Sequence, residues 1–88
     1  MSAIGSDRVA LVSGGTRGIG RAITECLLAD GWSVLATYHS DADSAESFAG
    51  EHDRLAVLRS DAGSSDDCHA AVDTAVARFG HLDHLVAA

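Results

Sequence analysis

Short apolar runs and longer amphipathic stretches follow one another along the chain. Four runs are almost continuously apolar, and between them apolar residues recur at three- and four-residue spacing. A short apolar run is typical of a strand buried on both faces, whereas the longer period is typical of a helix with one packed side. The pattern therefore predicts strands at 9–12, 33–38, 55–58 and 84–88.

Two helices are predicted between the first three strands. The first begins in a glycine-rich turn and is closed by Gly31. Its apolar stripe consists of Ile19, Ala22, Ile23, Cys26 and Leu27. The second covers about 42–50, with Ser40 or Asp41 as its N-cap and Phe48 as its main apolar anchor.

A third helix is predicted before the last strand. It follows Ser64-x-x-Asp67, which resembles a capping box with Asp in the Glu position, and it ends at Gly80. Its apolar stripe consists of Cys68, Val72, Ala75, Val76 and Phe79. Because Cys68 falls on that stripe and Cys68-His69 lacks an evident third catalytic residue, we interpret Cys68 as a packed residue and not as a nucleophile.

The alternation of strands and helices predicts an α/β fold with a doubly wound parallel sheet. Right-handed crossovers then give the strand order 3-2-1-4 and place the first and third helices on opposite faces of the sheet. We therefore expect Cys26 and Cys68 to lie too far apart for a disulfide. The fourth strand is expected to have an unpaired outer edge, which natural sheets usually avoid.

The first strand leads directly into the turn Ser13-Gly14-Gly15-Thr16-Arg17-Gly18-Ile19-Gly20. Gly14 is expected to permit a tight turn, Gly18 to let the backbone approach a pyrophosphate, and Gly20 to let the helix pack close to the sheet. The phosphate would lie on the helix N-terminus, where unpaired N–H groups point at it. The alternative is a glycine turn that only solves a packing problem.

This segment resembles the cofactor turn of the short-chain dehydrogenase/reductase family, whose usual form is Thr-Gly-x-x-x-Gly-Ile-Gly. Ser13 replaces the threonine and keeps the hydroxyl. Asp61 after the third strand and the segment 79–86 before the fourth resemble two further landmarks of the family. Within the family the chain is most similar to 3-oxoacyl-thioester reductases and related ketoreductases. The resemblance implies a Rossmann-type fold and hydride transfer between a nicotinamide dinucleotide and a carbonyl or alcohol.

The end of the second strand bears on the choice of cofactor. The position that would hold an acid for the ribose of NAD is occupied by Tyr38 or His39. In the family that the chain resembles, a basic residue such as Arg17 beside the turn glycine, without that acid, accompanies a 2′-phosphate, so NADP(H) is favoured. Asp41 and Asp43 lie nearby and keep NAD(H) open. A solvated arginine at the helix start is the alternative role of Arg17.

The resemblance implies a set of cofactor-binding residues on several loops. Asp61 would accept a hydrogen bond from the adenine amino group, with Ala62 in the same pocket; an ordinary turn carboxylate is the alternative. Ala87 stands where the family usually begins an Asn-Asn-Ala-Gly run, and is assigned a backbone contact only. The predicted set is Gly14, Thr16, Arg17, Gly18, Ile19, Gly20, Tyr38, His39, Ser40, Asp61, Ala62, Ala87 and Ala88.

Composition excludes several other kinds of function. The formal charge of −7 and the pI near 4.8 argue against a nucleic acid or an anionic membrane as partner. Neither the two cysteines nor the five histidines show metal-ligand spacing. The N-terminal residues lack the charged and apolar segments of a signal peptide, and no run is long enough for a membrane span, so we expect a cytoplasmic location.

The catalytic residues that the resemblance implies cannot be placed in this sequence. A Ser/Tyr/Lys set is implied, but all six basic residues are arginines, and the only tyrosine is Tyr38, at the adenosine end. We expect residues 1–88 to form the N-terminal, cofactor-binding part of one domain, completed by a missing C-terminal half. The complete protein is expected to reduce a small carbonyl or acyl-thioester substrate, and the resemblance implies a homo-oligomer. The alternatives are a non-catalytic nucleotide-binding or regulatory module, or a truncation product.

Overall fold

Strands and helices alternate in the computed structural model, which describes residues 8–61 and 63–88. The elements are β1 Val9–Ser13, α1 Gly18–Ala29, β2 Ser33–Tyr38, α2 Ala42–Gly50, β3 Leu55–Arg59, α3 Ser65–Phe79 and β4 His84–Ala87. This order confirms the one predicted from the sequence. The strand limits differ from those predicted by at most one residue.

The four strands form a single parallel sheet in the order β3-β2-β1-β4, which confirms the predicted topology. β1 is central: Val12 pairs with Ala36 of β2 on one side and with Val86 of β4 on the other. At the other edge Tyr38 of β2 pairs with Arg59 of β3. Since the strands are parallel, the loops that follow them all meet at one edge of the sheet.

Each face of the sheet carries its own hydrophobic core. The first core packs α1 and α2 on one face and consists of Ala10, Val12, Trp32, Val34, Ala36, Phe48 and Leu55. The second core packs α3 on the other face and consists of Leu11, Leu35, Ala71 and Ala75. The side chains of alternate strand residues thus pack on opposite faces of the sheet, as pleating requires. Cys26 on α1 and Cys68 on α3, both exposed, therefore belong to helices on opposite faces of the sheet, as predicted.

The predicted apolar stripe of α1 is correct at Ile23 and Leu27, which pack against the first core, and wrong at its other three positions. Ile19 is 78% exposed, and Ala22 and Cys26 are also exposed. The packed side of α1 consists of Gly20, which lies against the preceding loop, and of Ile23, Thr24, Leu27 and Leu28. At a buried helix position, hydrophobicity alone favours an isoleucine over a glycine or a threonine. At the start of α1, however, close packing against neighbouring backbone leaves room only for small residues.

The predicted stripe of α3 contains a similar error. Cys68 is exposed and Val76 is 43% exposed, whereas Ala71, which was not predicted, is buried. Ala75 is buried, and Val72 and Phe79 pack against the second core, as expected. The packed side of α3 is therefore centred on two alanines, which allow the helix to lie close to β1 and β2.

The sequence identified the N-caps of α2 and α3 correctly. The Asp41 carboxylate accepts the Ser44 N–H at 3.2 Å, and Asp41 adopts a left-handed conformation with φ 65°. The Ser64 hydroxyl accepts the Asp67 N–H at 3.3 Å. Each bond pairs one of the N–H groups that a helix start leaves unsatisfied.

Asp83 joins the amino ends of β1 and β4. Its Oδ2 accepts the Val9 N–H at 2.8 Å, and its own N–H donates to the Val9 carbonyl at 2.9 Å. The His81 Nε2 lies 3.0 Å from the same carboxylate oxygen. These bonds set the register of β4, so that its far end lies beside the glycine turn, where the Ala88 N–H donates to the Ser13 carbonyl at 3.2 Å.

The outer edge of β4 has no strand partner among the described residues, as predicted. Leu85, at the middle of β4, is 65% exposed. Parallel sheets are normally covered on both faces, and natural sheets protect their edges. An exposed leucine on an unpaired edge strand is therefore the least protected part of this sheet.

Replacing Thr24 with valine should stabilise the fold. Thr24 is fully buried, and its hydroxyl has no hydrogen-bond partner among the described residues. Thr24→Val removes an unpaired buried hydroxyl at nearly constant size, so the free energy of unfolding should rise by about 1 kcal/mol, measured by urea denaturation. Thr74→Val is the matched control, because the exposed Thr74 hydroxyl donates to the Ala70 carbonyl at 2.7 Å. An equal rise in both variants would contradict this explanation.

Candidate functional site

The connection between β1 and α1 is a tight turn that depends on two glycines. Gly14 has φ 69° and Gly18 has φ 56°, a backbone region that side-chain-bearing residues rarely occupy. The first of these positive φ angles turns the chain out of β1, as expected, and the second lies where α1 begins. Neither conformation strains the backbone at a glycine.

Close packing, and not conformation, explains the glycines at 15 and 20. A Cβ at Gly20 would lie 2.0 Å from the Gly14 carbonyl oxygen, so the first turn of α1 passes directly against the preceding loop. A Cβ at Gly15 would lie 2.8 Å from the Ala36 Cβ and 2.9 Å from the Val12 oxygen. The contact with the sheet that we expected of Gly20 is thus made by Gly15, which the sequence pattern did not single out.

Thr37 of β2 holds the glycine turn in place. Its hydroxyl accepts the Gly14 N–H at 3.2 Å, and its carbonyl accepts the Gly15 N–H at 3.1 Å. The residue is only 5% exposed. The sequence analysis missed Thr37; its position near the carboxyl end of a strand beside the glycine turn was the available signal.

The start of α1 is suited to binding an anion. Arg17 occupies the N-cap position with φ −145° and ψ 156°, and its side chain caps no N–H group. The first turn contains no acidic residue. The N–H groups of that turn therefore lack a side-chain acceptor, and the helix dipole adds positive potential there. The exposed Arg17 side chain adds a full positive charge.

An open cleft of about 390 Å³ lies over this helix start, and the predicted residues meet there. It is lined by Gly14, Thr16, Arg17, Ile19, Gly20, Tyr38, His39, Ser40 and Ala88, all of which belong to the predicted set. A second cavity of about 240 Å³ shares Gly14, Tyr38, His39 and Ala88 with it. This second cavity also contains Asp61, together with Ser13, Thr37 and Ser60, which were not predicted.

Two described residues of the predicted set, Gly18 and Ala87, line neither of these two cavities. Gly18 is exposed at the start of α1, and nothing lies within 4 Å of a Cβ added there. Ala87 lines a separate cavity on the α3 side with Leu85 and Cys68, because neighbouring strand residues face opposite ways. Ala87, for which a backbone contact with the cofactor was predicted, therefore does not line the cleft, whereas Ala88 does. Ala62 lies outside the described residues.

Residues 8–61 and 63–88 contain neither a group of potential metal ligands nor a membrane-spanning helix. In that part of the chain no three His, Cys, Asp or Glu side chains form a group that could hold a metal ion. None of its helices has the length and apolar character needed to cross a membrane.

A parallel α/β sheet with a glycine turn, an open helix N-terminus and a cleft at the carboxyl ends of its strands defines a Rossmann-type nucleotide-binding fold. Residues 8–88 match the family model described as short chain dehydrogenase. The chain belongs to this family of nicotinamide-dependent oxidoreductases.

Individual relatives and structures agree with this assignment. An acetoacetyl-CoA reductase from Shinella zoogloeoides is 42% identical over 79 residues, covering 90% of this chain and 32% of the relative. A short-chain dehydrogenase/reductase from Serratia marcescens superposes with a TM-score of 0.87 at 38% identity, over 92% of this chain and 35% of that one. A blue fluorescent protein from a metagenomic library, solved in complex with NADPH, superposes with a TM-score of 0.85 at 33% identity. The match covers 89% of this chain and 34% of that protein. The chain thus spans about a third of the length of these proteins.

Adding a methyl group at Gly20 should damage the site. The added Cβ would overlap the Gly14 backbone, and overpacking of this kind typically costs about 1–3 kcal/mol, so Gly20→Ala should weaken dinucleotide binding at least about fivefold. Fluorescence titration of the full-length protein with NADPH measures this. Gly50→Ala is the control, because nothing lies within 4 Å of a Cβ added at that helical glycine. Equal affinities of the two variants would contradict the assigned role of Gly20.

Proposed function

We propose that this chain supplies the cofactor-binding half of an NADP(H)-dependent carbonyl reductase that acts on 3-oxoacyl thioesters or similar ketones. The observation that carries the proposal is the arrangement at the cleft. Arg17 stands at the uncapped start of α1, and the cleft lining contributed by the end of β2 is Tyr38, His39 and Ser40, with no acid. The similarity to an acetoacetyl-CoA reductase supports the substrate class.

The pyrophosphate of the cofactor is assigned to the glycine turn and the first N–H groups of α1. No side chain competes for those donors, because Arg17 does not cap the helix and no acid lies in its first turn. From that point the adenosine extends across the ends of β2 and β3, toward the cavity that contains Asp61. Ile19, 78% exposed in the cleft, offers an apolar surface to the remainder of the cofactor.

The surroundings of the adenosine ribose favour a 2′-phosphate. The Arg17 guanidinium has no ion-pair or hydrogen-bond partner within the described part of the chain, so it is available to an anion. Asp41, the nearest acid after β2, already uses its carboxylate to cap α2 at Ser44. A ribose of NAD would need an acidic partner that the cleft lining does not contain. The NADPH complex of a structural neighbour is consistent with this preference.

Catalysis requires groups that this chain does not contain. Bound NADPH supplies the hydride in a reaction of this class, and a proton donor of suitable pKa must stand beside the reacting carbonyl. The chain has no lysine to adjust such a donor, and Tyr38 lies at the adenosine side of the cleft. The part assigned to residues 8–88 is therefore to bind and orient the cofactor, and the rest of the fold provides the proton and the substrate pocket.

Reversing the charge of Arg17 tests the choice of cofactor. A charge-assisted bond to a phosphate contributes about 1.5–3 kcal/mol, so Arg17→Glu should weaken NADPH binding at least about tenfold and NADH binding less. Equilibrium titration of the full-length protein with both dinucleotides measures the two effects. Arg78→Glu, at the far end of α3, makes the same change in net charge away from the cleft and should affect neither. A wild type that prefers NADH, or equal losses for both dinucleotides, would refute the NADP(H) assignment.

Residues 1–88 alone should not catalyse the reaction. Carbonyl-dependent oxidation of NADPH is expected only when the remainder of the fold is present, covalently or as a second chain, because the proton donor lies there. The isolated chain should also aggregate or stay partly unfolded, since the β4 edge and Leu85 are uncovered. Turnover assays and thermal melts of both forms test this. Binding of NADPH by the complete protein without any carbonyl reduction would favour a regulatory nucleotide-binding module.

A further inference from the structure

We propose that Asp67 is a positioning residue for adenine recognition: it holds the loop after β3 so that the Asp61 carboxylate faces the adenine amino group. The proposal rests on the proposed function, because it presumes an adenine dinucleotide in the cleft. Asp67 lies in the first turn of α3 and takes no part in the sequence motif that resembles the cofactor turn. It would act through Asp61 and need not touch the cofactor.

The Asp67 side chain reaches from α3 to the loop that precedes the helix. Its Oδ2 accepts the backbone N–H of Asp61 at 2.9 Å. In a usual capping box the third helical residue accepts the N–H of the N-cap. Here the Ser64 N–H already donates to the Asp61 carbonyl at 3.0 Å, so the Asp67 carboxylate bonds further back along the chain. The capping box predicted from the sequence is therefore only half formed, and its carboxylate binds the loop N–H of Asp61 instead of the N–H of Ser64.

These bonds fix the orientation of Asp61. Asp61 Oδ1 accepts the Gly63 N–H at 2.8 Å, while Oδ2 has no hydrogen-bond partner among the described residues. Asp61 also lines the cavity that adjoins the cofactor cleft. One carboxylate oxygen is thus held by the loop, and the other is available to accept a bond from an amino group. An adenine amino group is such a donor, whereas hypoxanthine carries an oxygen at the same ring position.

Asp67 is itself held firmly enough to position another residue. Its N–H donates to the Ser64 hydroxyl, and its carbonyl accepts a bond from the Ser60 hydroxyl at 3.4 Å. One turn later Ala71, only 3% exposed, packs α3 against the sheet. The loop position is therefore tied to the packing of α3, and Asp67 is the side chain that makes the connection.

The test compares NADPH with its analogue in which hypoxanthine replaces adenine. The preference of wild type for adenine should be at least about tenfold, the effect of one charge-assisted hydrogen bond. Asp67→Ala should lower that preference at least about threefold, whereas Asp67→Asn, which keeps an acceptor oxygen of the same reach, should retain it. Asp66→Ala is the matched control, since Asp66 is exposed in the same helical turn and carries the same charge. Because the preference is a ratio within one variant, any loss of folded protein cancels.

Several results would overturn the proposal. If Asp67→Ala and Asp66→Ala have the same adenine preference as wild type, Asp67 has no positioning role. In an Asp61→Ala background, Asp67→Ala should cause no further loss, and an additional loss would show that it acts by another route. A wild type that binds both dinucleotides equally refutes the role of Asp61 and this proposal with it. A wild type that binds NADPH no better than NADH refutes the proposed function in a separate measurement.

Discussion

The contact between the backbone of the glycine turn and the first turn of α1 is the constraint on which the structure depends. The Gly14 carbonyl lies so close to Gly20 that no side chain fits between them, and Gly15 is pressed in the same way against β2. Because a helix starts directly on top of the central strand, its first turn of N–H groups points into the cleft and not into solvent beside the sheet. The orientation of α1, and with it the electrostatics of the site, follows from the absence of two methyl groups.

The remainder of the sheet supports that turn from both sides. Thr37 of β2 bonds to the Gly14 and Gly15 amides, and the Ser13 carbonyl accepts the N–H of Ala88 beyond β4. Asp83 fixes the register of β4 from the opposite end of the sheet. Strand pairing thus determines how far each following loop extends over the cleft. Residues distant in sequence meet there because the strands are parallel and their carboxyl ends coincide.

The sequence was sufficient to predict the structure where interactions between neighbouring residues determine it. Strand runs, helix limits and the N-caps at Asp41 and Ser64 were predicted correctly, since each depends on residues within a few positions of one another. The packed sides of α1 and α3 were predicted only in part, because close packing selects small residues such as Gly20 and Ala71 in preference to the larger Ile19 or Val76. The role of Thr37 and the bond between Asp67 and Asp61 were missed for a different reason: the partners are backbone amides brought near by folding, which leave no trace in residue spacing. The sequence identified Asp67 only as the acid of a capping box.

The uncapped start of α1 links the stability of the protein to the occupancy of its cleft. Ser64 and Asp41 complete the other two helices from within the chain, but α1 has no side-chain acceptor of its own. An anion that binds there becomes the N-cap that the sequence does not provide, and so completes a secondary-structure element while it occupies a site. Through linkage, a ligand at a hundred times its Kd stabilises the folded state by about 2.7 kcal/mol. In this fold part of that stabilisation would come from pairing the first N–H groups of α1, so the ligand would take the place of a capping residue.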